Sequence, residues 1–450
     1  MGSTGLTGGT TGGENNESRI EYRDEDIVEN LDRTVEFWTD YSKVHYHPQS
    51  LYQLSGLLMD TQEFGNYGTG RDIYSEAQRG EEISERLRFF VEECDHIQGF
   101  QFIVDESGGF SAIAAEFLES VSDDYSNTPI LLYNAMDPCF PTGSRSRKQT
   151  VSRSIQDAVS FTRLSTFSKL IMPVGLPFLS SSKASAFLRI QDEKAYHCSA
   201  VYAAALHSAT LPFRMEQLGP TASSMYFSGA MDVNTLVQTL AGQARQNMVT
   251  IVDVAMPAPP ITGKLDKKPF LGYLQPLTPE IVEVEDLQAV ESIAVQGALK
   301  PGGQRASVSE VTDTISSAYE EAQTRPQFCH LSVARCPLPV PLPFPLIFGK
   351  QIGQQGELLS SPDPGAPSWG LLDVDSIPIA ARLRSSKAVL PFLECRLRNL
   401  RRLGIDRGAP GAELLCSWGF GKEDLEEIEE SLYKMVTTLD ERAEASSDSD

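Results

Sequence analysis

Long apolar runs are missing from this sequence. No window of its 450 residues comes near the roughly 18 consecutive apolar residues that a membrane-spanning helix needs. The opening stretch, MGSTGLTGGTTGGENNE, has neither the apolar core of a secretory signal nor the arginines of a mitochondrial transit peptide. We therefore expect no transmembrane segment, and any association with a membrane is expected to be peripheral.

Basic residues are scarce relative to acidic ones. The sequence holds 38 Lys and Arg against 61 Asp and Glu, which gives a net charge of −23. Because a phosphate backbone must be met by clustered Lys and Arg, this balance argues against nucleic-acid binding. One dense basic run, RLRNLRRLGIDR at 396–407, is the exception. We favour a solvated helix face for this run, and a contact with a partner or with acidic lipid is the alternative.

Motifs for metal binding and for common catalytic reactions are also missing. The seven cysteines form no C-x-x-C pair, which fits a reducing compartment and argues against a zinc site or a disulfide framework. No Walker A sequence, G-x-x-x-x-G-K-[ST], occurs. In GFSAI, Ile113 stands where a nucleophile elbow around Ser111 would need its last glycine. The sequence thus predicts no metal ion and no catalytic residue, although a cysteine nucleophile with a histidine partner stays open.

A strand–helix–strand unit is the clearest pattern that is present. In GFQFIVDESGGFSAIAAEFLESVSDDYSNTPILLY, a buried strand is followed by a glycine turn, an amphipathic helix and a second strand. Such a unit implies a right-handed crossover and a parallel sheet. We predict an α/β chain: a parallel-sheet domain, a mixed α+β domain and C-terminal helices. The predicted limits are a disordered segment at 1–25, a first domain at 26–250, a second domain at 251–420, and an acidic helix and tail at 421–450.

Five prolines alternate with apolar residues in CPLPVPLPFPLIF, between positions 337 and 345. Alternate N–H groups of a strand point to opposite edges, so these prolines would remove every donor along one edge. We predict a buried edge strand that pairs on one side only. A polyproline II ligand for an SH3-type partner is the alternative.

Several separated blocks resemble the tubulin superfamily. Tubulins carry, in this order, a similar Asn-Tyr loop, a helix that ends at Cys, the sequence LQGF, a strand and the sequence GGGTGSG. This sequence shows the same order in NYGTGRDIYSEAQRGEEISERLRFFVEECDHIQGF, followed by the glycine turn. WTDYSKVHYHPQSLY, DAVSFTRLSTFSKLIMPVGLP, LHSATLPFR and PLPFPLIF are similar to the Misato group of that superfamily, tubulin-like proteins associated with mitochondrial distribution and morphology. The resemblance implies a tubulin-like fold with a nucleotide-type first domain. The family's N-terminal strand and first nucleotide loop are not recognisable in this sequence.

The resemblance also implies a glycine loop that binds GTP, and that loop is altered here. The aligned turn, DESGGFSA, is one residue shorter, with Phe110 where a small residue belongs. Asp105 and Glu106 would each repel a phosphate by on the order of 3 kcal/mol at a separation of about 6 Å. The degenerate cofactor-binding residues that the resemblance assigns are Ser107, Gly108, Gly109 and Ser111.

Two further positions of the family's nucleotide site carry unsuitable residues. The catalytic loop N-x-D-x-x-E aligns with DVNTLVQ, which places Val237 at the glutamate that activates water. The asparagine that reads the base aligns with His197. A valine can neither orient nor deprotonate a water molecule, so we predict that the chain is not an enzyme.

These departures predict a non-catalytic tubulin-like protein with no certain cofactor, in which weak GTP binding or residual hydrolysis stays open. The resemblance implies a role in mitochondrial distribution, morphology and inheritance, exerted through protein partners such as tubulin or outer-membrane proteins. It implies a location in the cytoplasm and at the cytosolic face of the mitochondrion. A GTP-binding cytoskeletal protein is the first alternative, and an unrelated soluble enzyme is the second.

Overall fold

The computed structural model of the chain describes residues 31–35, 37–40, 42, 44–54, 64–76, 78–136, 146–216, 227–242, 247–261, 269–322, 326–341, 343–359 and 374–447. The segment 1–25, predicted to be disordered, lies outside these residues. No helix within the described ranges is both long and apolar enough to cross a membrane.

The first part of the chain forms a parallel sheet covered by helices. Its elements are α1 (Tyr67–Ser75), α2 (Arg79–Glu92), β1 (Phe100–Asp105), α3 (Phe110–Asp124), β2 (Ile130–Ala135), α4 (Arg147–Phe167), β3 (Leu170–Val174) and α5 (Ala195–Ala209). The strand order is β1-β2-β3, with Phe100 opposite Ile130 and Leu131 opposite Leu170. β2 and β3 are buried on both faces because ILLYNA and LIMPV are almost wholly apolar.

The second part builds a six-stranded mixed sheet. Its elements are β4 (Phe227–Ser228), α6 (Val233–Ala241), β5 (Ile251–Ala255), β6 (Gln275–Pro276), β7 (Val290–Gln296), α7 (Val308–Glu321), β8 (Phe328–Ala334), β9 (Leu338–Pro339), β10 (Ser376–Ile377) and β11 (Ile379–Ser385). The order is β4-β8-β7-β11-β5-β6, while β9 pairs with β10 separately. β7 and β8 are parallel, whereas β11 is antiparallel to both β7 and β5.

The two sheets are joined by the chain that enters β5. The Ile171 N–H of β3 donates to the Met248 carbonyl over 2.8 Å, and the Thr250 N–H donates back to the Ile171 carbonyl over 2.9 Å. Residues 248–250 therefore extend the first sheet before the strand continues into the second.

Helices after β11 return to the first sheet. They are α8 (Leu390–Leu400), α9 (Ala412–Ser417) and α10 (Lys422–Ser447). Phe392 of α8 is fully buried, with its ring centroid 5.3 Å from that of Phe161 in α4. Leu432 of α10 is buried in the same core. The predicted α/β class, with C-terminal helices, is confirmed; the domain limits at 26–250, 251–420 and 421–450 stay predictions.

The predicted edge strand in the proline-rich run is mostly wrong. Only Leu338 and Pro339 pair as a strand, with Ser376 and Ile377 as partners. The chain then turns, because the Phe344 N–H donates to the Pro341 carbonyl over 2.8 Å. Its apolar end is nevertheless buried, with Ile347 and Phe348 at 0% and 1% exposure. The run thus forms a short strand and a turn, after which the chain enters the core.

α1 packs against the glycine turn at backbone distance. A Cβ atom at Gly70 would lie 1.9 Å from the Gly109 carbonyl oxygen, and one at Gly68 would lie 2.4 Å from Cδ1 of Trp418. Only glycine allows these approaches. Helix α1 therefore packs between the glycine turn and Trp418.

Gly70→Ala should destabilise the fold by about 1–3 kcal/mol, because the added methyl group meets backbone that cannot turn aside. Gly80→Ala in α2 is the matched control. A Cβ there would meet Tyr74 Oη at 2.9 Å, at the end of a side chain that can move. Urea unfolding should show a lower midpoint for the first variant and an unchanged or higher one for the second. Equal midpoints would contradict the close packing of α1 on the turn.

Candidate functional site

The glycine turn connects the end of β1 to the start of α3. It brings the four predicted cofactor-binding residues, Ser107, Gly108, Gly109 and Ser111, into one loop. In a phosphate-binding turn, the backbone N–H groups point outward to the ligand. The contacts of these N–H groups therefore decide what the turn can bind.

Several N–H groups of the turn already donate to protein oxygens. The Ser107 N–H donates to Asp105 Oδ1 over 2.8 Å, and the Gly109 N–H donates to the Phe64 carbonyl over 3.0 Å. The Glu106 N–H donates to the Ala135 carbonyl over 2.9 Å. A phosphate would have to displace these oxygens.

The inner side of the turn is fixed by buried polar side chains. Gln156 of α4 donates from Nε2 to the Gly108 carbonyl over 2.9 Å, and its Oε1 accepts from the Tyr67 N–H over 3.0 Å. The Ser111 hydroxyl, which is fully buried, donates to the same carbonyl over 2.8 Å and lies 2.8 Å from the Ser160 hydroxyl. Ser111 is thus used inside the protein.

Phe64 lies directly over the two glycines. A Cβ at Gly109 would lie 2.7 Å from the Phe64 ring, and one at Gly108 would lie 2.9 Å from the Phe64 carbonyl oxygen. The ring also packs edge-on against Phe110, with centroids 4.8 Å apart. Glycines fit here because the Phe64 ring lies against Gly109 and the Phe64 carbonyl lies against Gly108.

Glu106 points into the core, contrary to the expectation that it would approach a phosphate. Its side chain is 1% exposed and accepts a hydrogen bond from Arg396 Nη2 over 3.1 Å. Asn134 Nδ2 also donates to the carboxylate. Burial raises the pKa of Glu106 to about 7, against the opposing effect of the Arg396 guanidinium, and nearby Asp157 adds to the increase. Repulsion of a ligand by Glu106 is therefore not the reason that the turn differs from a nucleotide loop.

Arg396 belongs to the basic run that was predicted to be a solvated helix face. It is 5% exposed, and its guanidinium carbon lies 3.6 Å from the centre of the Phe392 ring. Arg401 also has partners, since its Nε donates to Glu429 over 2.6 Å. The remaining arginines of the run, Arg398, Arg402 and Arg407, are exposed. The prediction holds for these three and is wrong for Arg396.

Val237 is buried, and its aliphatic side chain has no group that could activate a water molecule. DVNTLVQ forms the N-cap and first turns of α6, with Asp232 accepting from the Thr235 N–H over 2.6 Å. The Val237 side chain is 8% exposed and packs with α5 in the core on one face of the first sheet. Helices α3 and α4 pack on the other face.

His197 is held by internal partners. Its Nε2 lies 2.6 Å from Asp32 Oδ1, and its Nδ1 accepts from the Gln191 N–H over 3.3 Å. Lys194 donates to the same aspartate over 2.5 Å. Burial lowers the pKa of His197, and Asp32 opposes that decrease. Residues 31–34 therefore cover this end of α5.

Sequence reasoning missed the residues that close the turn. Phe64, Gln156 and Asn134 carry no motif, since their role depends on contacts between distant segments. Arg396 did carry a signal, because it stands three residues after Leu393 and four before Leu400, on the apolar face of α8. An arginine on such a face predicts a buried partner.

Comparisons with known proteins agree with this architecture. A family model described as the tubulin domain matches residues 29–215. Protein misato homolog 1 of Bos taurus is 26% identical over 427 residues, 90% of this chain and 70% of that protein. The Mus musculus protein of the same name is 24% identical over 438 residues, 93% of this chain and 74% of that protein. Protein misato of Drosophila melanogaster is 30% identical over 200 residues, 42% of this chain and 34% of that protein. Together with the fold, these matches support a tubulin-like protein of the Misato family.

Proposed function

We propose that this chain acts in mitochondrial distribution, morphology and inheritance as a non-catalytic protein that works through protein partners. The mitochondrial role is what the Misato family resemblance implies. The non-catalytic character rests on one observation: the glycine turn is closed by contacts of the protein with itself.

The closed turn disfavours GTP on energetic grounds. Freeing the N–H groups of Ser107 and Gly109 would give up hydrogen bonds that contribute about 1 kcal/mol each. Phe64 would also have to leave the two glycines, which would expose part of its apolar ring to water. Buried Val237 supplies no group to activate water. A phosphate would bind only after local rearrangement of the turn.

A GTP-binding cytoskeletal protein is the second candidate function. It is favoured by the tubulin domain match and by the position of the turn between β1 and the start of α3, where anions bind in many α/β proteins. The two candidates differ in nucleotide binding, which separates them directly.

In equilibrium dialysis against labelled GTP and Mg²⁺, the wild-type protein should show no saturable binding, with tubulin as the positive control. Phosphate release should not exceed that of a buffer blank, because Val237 supplies no group to activate water and the N–H groups of Ser107 and Gly109 already donate within the protein. Saturable binding of labelled GTP by the wild-type protein, displaced by unlabelled GTP, would favour the second candidate. Phosphate release above the blank would overturn the non-catalytic proposal.

The proposed location is the cytoplasm and the cytosolic face of the mitochondrion. The net charge of −23 disfavours adsorption to anionic lipid, which attracts clustered Lys and Arg. The basic run exposes Arg398, Arg402 and Arg407 to such a surface, while Arg396 is buried and Arg401 is paired with Glu429. Tubulin or outer-membrane proteins are the proposed partners.

Binding to isolated mitochondria should be abolished by mild protease treatment of the organelles, because a protein partner holds the chain there. Liposomes of matched lipid composition should bind nothing. The triple variant Arg398→Gln, Arg402→Gln, Arg407→Gln should bind mitochondria as the wild type does, and it leaves the Glu106 pair intact. Release of this variant, or recovery of the wild type in a protease-shielded matrix fraction, would count against the proposed attachment.

A further inference from the structure

A groove beside the second sheet is separate from the glycine turn. Its first cleft has a volume of about 690 Å³. Residues of the segments 182–184, 271–276 and 280–286 line it. The floor is a charged face of the six-stranded sheet.

The arginines on that floor are held in ion pairs. Arg382 Nε donates to Asp253 over 2.7 Å, and Arg384 Nη2 donates to Glu283 over 2.9 Å. Arg382 Nη1 also lies 3.3 Å from Glu291. Because each arginine shares its charge among carboxylates, neither is free to attract an anionic ligand.

The groove as a whole carries an excess of negative charge. The acidic residues that line the cleft are Glu280, Glu283, Asp286 and Glu291, and Glu285 is exposed in the same segment. The basic residues there are Lys183, Arg382 and Arg384. A segment that binds in the cleft therefore meets a negative surface.

Aliphatic side chains are exposed along the segment 282–287, in which Val284 lines the cleft and Val282 and Leu287 lie next to lining residues in the sequence. Val282, Val284 and Leu287 are 53%, 42% and 62% exposed. They alternate with acidic residues in the sequence EIVEVEDL. Grouped aliphatic side chains with a polar rim are typical of surfaces that bind other proteins.

A second, more apolar cleft continues the groove along α7. It has a volume of about 510 Å³ and shares Leu271 and Ala322 with the first cleft. Its lining includes Phe270 and Tyr273, while Asp313 lies on the helix side. The combined groove therefore offers apolar contacts flanked by carboxylates.

We propose that this groove binds a basic amphipathic segment of a partner protein. Aliphatic side chains of that segment would contact Val282, Val284 and Leu287, and its Lys or Arg side chains would face the carboxylates. The charge of the groove disfavours an acidic segment and an anionic lipid surface. The inference rests on the proposed partner-dependent function and adds the class of partner, at a site that does not involve the turn.

The test uses the full chain and a fluorescein-labelled peptide, LKKLLKLLKKLLKL, in anisotropy titrations at physiological salt without nucleotide. Val284→Ser with Leu287→Ser should weaken binding tenfold or more. Glu280→Lys with Glu285→Lys should do the same. Glu81→Lys with Glu92→Lys on exposed α2 positions is the matched charge control and should change binding less than twofold. A version of the peptide with Glu in place of Lys should not bind.

Two results would overturn the proposal. One is equal loss of binding in the groove variants and the α2 control, which would indicate attraction by overall charge alone. The other concerns the segment 262–268, which carries Lys264, Lys267 and Lys268 and joins Ile261 to Pro269, both of which line the second cleft. If replacing its three lysines by serine tightens peptide binding more than tenfold, the occupant is this segment and not a partner. Either failure leaves the GTP dialysis result unaffected.

Discussion

The buried pair of Glu106 and Arg396 joins parts of the chain that are 290 residues apart. It ties the glycine turn of the first sheet to α8, which the chain forms only after it has completed the second sheet. Both side chains are at most 5% exposed, and Arg396 packs on the Phe392 ring as well. Breaking a buried ion pair by removing one partner commonly costs about 3–5 kcal/mol, because the other charge stays behind without compensation. The position of α8 and the conformation of the turn are therefore set together.

A turn held in this way serves a structural role. Its glycines allow Phe64 and Gly70 to approach the backbone. The Gly108 carbonyl accepts hydrogen bonds from Gln156 and Ser111. In a nucleotide-binding tubulin-like protein, the same strand–turn–helix unit would present its N–H groups to phosphate. Here the strand–turn–helix order is the same, but the N–H groups of Ser107 and Gly109 donate to oxygen atoms of the protein. The surface that we propose for partner recognition is the acidic groove on the second sheet.

The sequence predicted the parts of this structure that follow from local pattern. The parallel unit of β1, α3 and β2 was evident from its apolar runs and glycine turn. What the sequence did not predict depends on distant contacts. Glu106 was expected to face a ligand because nothing near it in sequence shows that Arg396 lies opposite. The alternating prolines suggested a strand, but a turn at Pro341 lets Ile347 and Phe348 reach the core.

The central claim is that Glu106 is a buried carboxyl paired with α8, and its proton linkage tests this most directly. The raised pKa means that the folded protein holds the Glu106 proton more tightly than the unfolded chain. The free energy of unfolding should therefore fall as the pH rises from 4.5 to about 7. Relative to Glu106→Gln, the free energy of unfolding of the wild type, measured in urea, should fall by about 3 kcal/mol over that pH range. Glu119→Gln, which removes an exposed carboxyl from α3, should keep the wild-type pH profile. Parallel profiles for the wild type and Glu106→Gln would mean that folding does not raise the pKa of Glu106, and would contradict the account.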